Sequence, residues 1–317
     1  MVNNHTRVSK IPKTMNAVRL HTANGPAGVI YEQIETPEPK AREALVRVYA
    51  AAITRDELDW PVNRLPAIPS YEFSGVVSAI GQGVDGITVG DQVYALSAFD
   101  RDGAAADYMV VSQEFLAPKP RTLDYVQSAS IPLAALTAWQ GLFVHGQLSK
   151  GQRVLIHGAT GGVGHFAVQL ARLHGANVIG TVSTRNVEAA GKLGLVEVIE
   201  HPITRFEEVV DRVDLVFDTV GGDRLNRSPF VVRPGGRLVS VASEPSQEQA
   251  TARQIKALYF VVEPNGKQLV ELAKLADNGD LQPAIDEIFP LANARQAFER
   301  SISAHTAGKI VLRIVDE

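Results

Sequence analysis

The run His157-Gly-Ala-Thr-Gly-Gly-Val-Gly164 constrains this chain more than any other feature. Residues 153–157 precede it with a buried-strand pattern; residues 164–173 follow with helical spacing and stop at Gly175. Ala159, Gly161 and Gly164 occupy the three small-residue positions of a G-x-G-x-x-G pattern, with alanine first. The first allows a tight turn, the second lets backbone approach a pyrophosphate, and the third lets the helix pack on its strand. Thr160, Gly162 and Val163 fill the turn, where helix-start N–H groups and the helix dipole favour negative charge. A second strand at 177–181 and a helix at 187–193 follow in order. The pattern therefore points to dinucleotide binding on a parallel sheet.

About 20 residues past such a turn an acid would hold the ribose 2′-hydroxyl of NAD. This chain has Thr181-Val-Ser-Thr-Arg185 instead. Ser183 and Thr184 offer hydroxyls and Arg185 a guanidinium, and no carboxylate repels a 2′-phosphate, so the expected cofactor is NADPH. Two plainer readings stay open: Ser183 as a helix N-cap and Arg185 as a solvated residue.

The surrounding chain has two textures. Residues 15–121 carry short strands at 44–51, 73–80, 92–96 and 106–111, punctuated by Pro37, Pro39, Pro61, Pro66 and Pro69. From about residue 126, apolar strands alternate with helices, as a sheet covered on both faces requires. An amphipathic helix at 267–276 and a last strand at 309–315 end the pattern. At roughly 150 residues per domain, 317 residues suggest about two domains. Residues 1–14 read as a loose polar tail with no apolar stretch behind it, unlike a secretory signal. The longest uncharged run, 126–149, holds Pro132, Gln127, Gln140 and His145 and reads as a buried helix rather than a membrane span. A cytoplasmic protein is expected. The net charge of −4 argues against nucleic acid as a partner. The absence of cysteine excludes disulfides, thiol nucleophiles and cysteine-ligated zinc.

From about residue 15 to 314 the chain resembles the medium-chain dehydrogenase/reductase superfamily, and within it the zinc-less NADPH:quinone oxidoreductase-like branch. The matching runs are Ala50-Ala-Ala-Ile-Thr54, Ile68-Pro-Ser-Tyr-Glu-Phe-Ser-Gly-Val-Val77, Val89-Gly-Asp-Gln-Val-Tyr94 and Leu136-Thr-Ala-Trp-Gln140. Beyond the glycine turn they continue with Phe217-Asp-Thr-Val-Gly-Gly222, Arg233-Pro-Gly-Gly-Arg-Leu-Val239 and Gly308-Lys-Ile-Val-Leu312. The resemblance implies an α/β architecture: a GroES-like β domain from residues 15–125 and 263–317, and a Rossmann doubly wound parallel sheet domain over 126–262. It also implies an active-site cleft between them and a homodimer or homotetramer.

Further implications of the resemblance are residue by residue. Thr137 would lie near the nicotinamide; Thr219, Val220, Val241 and Ala242 would meet cofactor at strand ends; Phe260, Val261 and Val262 would sit on a strand facing the carboxamide. His201 stands where the family often has a Tyr beside the 2′-phosphate, Val187 where it often has a Lys, and Lys309 begins the last strand at a cofactor position. Zinc enzymes of the superfamily carry a Cys ligand near Thr54 and a Gly-His-Glu motif. This chain has Ser70-Tyr71-Glu72, and one carboxylate does not hold zinc, so no metal is expected. Without a Lewis acid, hydride transfer needs an already electrophilic acceptor, a quinone or an α,β-unsaturated carbonyl. Thr54, Tyr71 and Tyr94 would line the acceptor site and offer a hydroxyl to its oxygen. For Tyr94 a satisfied core role stays open, for Tyr71 a plug of the lost zinc position, and for Thr54 a substitute for the family's frequent Asn. His157 and His165 read as local packing. An enoyl thioester reductase and a non-catalytic NADPH-binding protein, crystallin-like or redox-sensing, remain as alternative functions.

Overall fold

The computed structural model describes residues 11–303 and 307–316. Residues 1–10 of the expected tail lie outside the described residues. Thr14 does not belong to a tail: it opens the strand Thr14–Leu20, which pairs antiparallel with Val29–Glu35.

Six strands form one parallel sheet. In hydrogen-bonded order they are Glu197–His201, Asn177–Ser183, Arg153–His157, Val213–Asp218, Val232–Ser240 and Lys256–Tyr259. Numbered along the chain this is the order 3-2-1-4-5-6 of a dinucleotide-binding sheet, with its switch point beside Arg153–His157. Both faces are covered at its centre, so the central strands carry apolar runs: Val154, Leu155 and Ile156 are all buried. Phe166 of the helix Gly164–Leu173 and Phe217 of the fourth strand are fully buried in one core with Ile156. Each such phenyl contributes roughly 1.5–3 kcal/mol on burial.

The second sheet joins distant parts of the chain. Its order is Ile285–Pro290, Lys309–Arg313, Glu43–Ile53, Glu72–Ile80, Gln92–Leu96 and Leu116–Pro118, with Tyr108–Ser112 also pairing Glu43–Ile53. Lys309–Arg313 runs antiparallel to Glu43–Ile53 with Ile310 opposite Ile53. This pairing brings Lys309 beside Thr54.

The uncharged run 126–149 folds as Tyr125–Ala129, Pro132–Trp139 and a wide-turn segment Gln140–His145. Asp124 caps the first helix, accepting from the Gln127 N–H while the Gln127 side chain accepts from the Asp124 N–H. No helix among the described residues is long and apolar enough to cross a membrane.

Close backbone approach sets the glycine turn. A Cβ on Gly164 would lie 2.0 Å from the Gly158 carbonyl oxygen, whereas one on the exposed Gly191 of the helix Val187–Lys192 meets nothing within 4 Å. Gly164→Ala is therefore expected to cost at least about 1–3 kcal/mol in urea unfolding. Gly191→Ala should be neutral or stabilising by up to about 1 kcal/mol. Equal behaviour of the two variants would contradict this packing.

Candidate active site

A cleft of about 1250 Å³ opens at the carboxyl ends of the parallel strands and continues to the second sheet. That volume exceeds the usual range for a single small ligand and leaves room for a dinucleotide with an acceptor. All but four of the residues expected at the site line it.

The glycine turn forms one wall. Thr160, Gly161, Gly162 and Val163 face the cleft, just before the helix Gly164–Leu173. The first N–H groups of a helix have no partner in their own helix and present a partial positive charge. Ala159 and Gly164 are not in the cleft lining. Ala159 is buried and donates its N–H to the Thr181 carbonyl, and Gly164 packs on Gly158. Their roles are turn closure and helix packing, as the spacing itself requires. Gly158, passed over in the sequence pattern, has φ +73° and does line the cleft; a Cβ there would lie 2.8 Å from Thr219 Oγ1.

The far end is cationic. Ser183, Thr184 and Arg185 follow the second strand, with Arg185 exposed. His201 ends the next strand and lines the same cleft. Arg224, from the helix Gly222–Arg227, joins them. Burial, then the charge of Arg224 and Arg227, lowers the His201 pKa from its ordinary value, so the imidazole is neutral at pH 7. Neither Arg185 nor Arg224 has an ion-pair partner among the described residues. Arg224 was missed because no spacing rule marks it; the only signal is its place just after Gly221-Gly222. Asn186 was also missed, and it donates to Thr160 Oγ1 at 3.2 Å, bracing the turn against the second strand's end.

Strand ends supply the remaining wall. Thr219 lines the cleft and donates its hydroxyl to the His157 carbonyl at 2.7 Å. Val220, Val241 and Ala242 line the cleft around a loop held by buried Asp218, which accepts from Ser240 Oγ and the Gly221 N–H. Phe260, Val261 and Val262 also face it, but they follow the strand Lys256–Tyr259 rather than forming part of it. Thr137 reaches the cleft with its hydroxyl already donated to the Leu133 carbonyl.

Two tyrosines are not where the sequence put them. Tyr94 is fully buried and absent from the cleft lining; its hydroxyl donates to the Leu269 carbonyl at 2.5 Å. It is a satisfied core residue, and burial pushes its pKa well above 10. Tyr71 is also fully buried, behind Trp60 and Phe99, with ring centroids 5.7 and 5.2 Å away. Its hydroxyl accepts from Arg64 at 3.4 Å, and burial pushes its pKa up to about 12. Trp60 and Phe99 line the cleft in its place, edge to face at 5.2 Å.

Thr54 does line the cleft, half-buried. Beside it Lys309 is only 5% exposed. The Lys309 ammonium lies 2.6 Å from Glu72 Oε1 and donates to the Ile53 carbonyl at 3.0 Å and to Thr54 Oγ1 at 3.2 Å. Glu72 Oε2 accepts from the Leu133 N–H. Glu57 Oε2 accepts from the Thr54 N–H at 3.0 Å. Glu57 is wholly buried, and desolvation raises its carboxyl to about 8, against the pull of the Thr54 N–H and Lys309. At pH 7 the Glu57 carboxyl is therefore a neutral acid close to the Lys309–Glu72 ion pair. His165 is buried, neutral with its pKa lowered to about 4, and ties the turn to the second sheet: Nδ1–H donates to the Gly161 carbonyl and Nε2 accepts from Ala284 N–H. His157 is likewise buried, between Thr181 and Ser228 hydroxyls.

These residues fit a dinucleotide: small turn residues at a helix start, and free guanidiniums where a phosphate would lie. They do not fit zinc. Tyr71 replaces a His, Glu72 is already paired with an ammonium, and no three His, Cys, Asp or Glu cluster among the described residues.

Comparison with known proteins agrees with this architecture. Residues 40–121 match a family described as alcohol dehydrogenase GroES-like domain, and residues 193–312 one described as zinc-binding dehydrogenase. An Arabidopsis thaliana protein named NADPH-dependent alkenal/one oxidoreductase, chloroplastic, is 31% identical over 98% of this chain and 82% of its own. A probable zinc-binding oxidoreductase, mitochondrial, from Arthroderma benhamiae is 30% identical over 97% and 99%. The solved quinone oxidoreductase from Coxiella burnetii superposes with a TM-score of 0.90 at 31% identity, covering 96% of this chain and all of that one.

The buried Glu57 gives a pH prediction. An unfolded Glu ionises near 4.5, and the folded one near 8. Between these values the folded state holds the extra proton, so stability falls as pH rises, by about 1.4 kcal/mol per pH unit at most. Glu57→Gln should flatten this slope, making the variant more stable than the parent by about 2–5 kcal/mol near pH 8 and by little near pH 5. Urea unfolding at both pH values checks this; parallel curves would contradict it.

Proposed function

The chain belongs to the medium-chain dehydrogenase/reductase superfamily, and on that premise we propose that it is a zinc-independent, NADPH-dependent reductase of quinones or α,β-unsaturated carbonyls. The observation that carries the reading is the pair of contents of one cleft. Arg185 and Arg224, without an ion-pair partner among the described residues, line it beside the strand end; Trp60, Phe99 and Thr54 line it as well, and no group of three His, Cys, Asp or Glu among the described residues could hold a metal ion.

Each part has a physical role. The helix start and the turn hold the pyrophosphate, and the two guanidiniums hold the 2′-phosphate that distinguishes NADPH. The bound nicotinamide supplies a hydride. Trp60 and Phe99, edge to face, offer apolar ring surface to a conjugated acceptor and exclude water from it. Such an acceptor delocalises the incoming charge itself and needs no Lewis acid. The names of the relatives from Arabidopsis and Coxiella support this class.

NADPH oxidation should be measured against quinones, 2-alkenals, cyclic enones and enoyl thioesters. Turnover with the quinones or enones is expected, and it should survive a chelator. Activity lost to a chelator and restored by zinc would overturn the zinc-independent reading; turnover confined to thioesters would reassign the substrate. Arg185→Ala and Arg224→Ala should each weaken NADPH about 10- to 100-fold while leaving NADH within about twofold. Fluorescence titration checks this, and equal losses for both cofactors would remove the 2′-phosphate assignment.

A further inference from the structure

Lys309 was expected to hold the cofactor. It lines the cleft, and its ammonium also has partners within the protein. An ammonium has three N–H groups, and three protein oxygens surround this one: Glu72 Oε1, the Ile53 carbonyl and Thr54 Oγ1. Its aliphatic stem runs past the glycine turn: a Cβ placed on Gly162 would lie 3.0 Å from Lys309 Cδ. The ammonium is thus held among Glu72, Ile53 and Thr54.

The backbone around that threonine is pinned from both sides. Glu57 accepts its N–H, and Lys309 donates to the carbonyl of the preceding residue. The hydroxyl oxygen accepts from the ammonium, and the hydroxyl hydrogen has no protein acceptor among the described residues. A hydroxyl that accepts from a cation is polarised into a better donor. This one lines the same cleft as Trp60 and Phe99.

Resting on the proposed function, we infer that Lys309 is a positioning residue whose ammonium, fixed by Glu72, aims the Thr54 hydroxyl as the hydrogen-bond donor to the acceptor's oxygen. As the acceptor's carbon takes a hydride, the displaced electron pair collects on that oxygen, and a solvent proton finally neutralises it. Thr54 stabilises the developing oxyanion and forms no covalent bond. The fixed cation therefore serves the acceptor, one hydroxyl removed.

The test combines kinetics with a probe that needs no turnover. Thr54→Val should lower kcat for an enone about 100-fold, with the NADPH Kd within about twofold, and Thr54→Ser should keep most of the activity. Lys309→Met with Glu72→Gln, which removes both charges together, should give a similar loss in kcat. Adding Thr54→Val to that double variant should cost no more, because both act through one hydroxyl. A tenfold rise in NADPH Kd with unchanged kcat would make Lys309 a phosphate ligand and overturn the inference; additive losses would also overturn it. The probe is 4-nitrophenol, titrated spectroscopically with NADP+ present. In the parent protein the bound phenol should ionise at lower pH than free in solution; in Thr54→Val and in the Lys309/Glu72 variant it should not. No shift, or no binding, in the parent overturns the inference. An inactive acceptor panel, by contrast, overturns the substrate assignment alone.

Discussion

The antiparallel pairing of Lys309–Arg313 with Glu43–Ile53 is the contact on which the site depends. It joins segments some 256 residues apart and closes the second sheet across the cleft from the first. It also delivers an ammonium into a place where its desolvation would be costly without partners. The partners are already there because Glu72 starts the neighbouring strand on the other side of Glu43–Ile53, in register with Ala52. Sheet geometry, rather than local sequence, thus assembles a buried cation between two carboxyl groups. The resulting charges nearly cancel only because Glu57 keeps its proton.

This arrangement accounts for which parts of the site the sequence made visible. The glycine turn, the strand ends at Thr219 and Val241, and the Ser183–Arg185 segment depend on local backbone rules. Spacing revealed the turn and the Ser183–Arg185 segment, the resemblance marked Thr219 and Val241, and all but Ala159 and Gly164 line one cleft. The cluster of Glu57, Glu72 and Lys309 depends on three segments meeting in a sheet, so no spacing could reveal it. The resemblance marked Lys309, which does line the cleft, but not its carboxylate partner.

The tyrosines failed for a related reason. A motif reports that a residue is near the site, not which way its side chain leaves the strand. Tyr94 pairs with Ser74 and turns its ring toward Leu269, and Tyr71 is screened from the cleft by Trp60 and Phe99. One hydroxyl of the expected three is left at the surface of the cleft, and it is the one that accepts from Lys309. The aromatic lining came from residues that no motif marked.

The wiring of the two sheets also carries a temporal consequence. Every strand of the parallel sheet lies between residues 153 and 259, so that unit is complete in an unfinished chain, and domains form as units during synthesis. The ammonium beside Thr54 arrives about fifty residues later. A nascent chain can therefore possess the cradle for a dinucleotide well before it possesses the reacting end of the cleft. Biosynthesis orders the two halves of the cleft, with the Lys309 side completed only when the second sheet is closed.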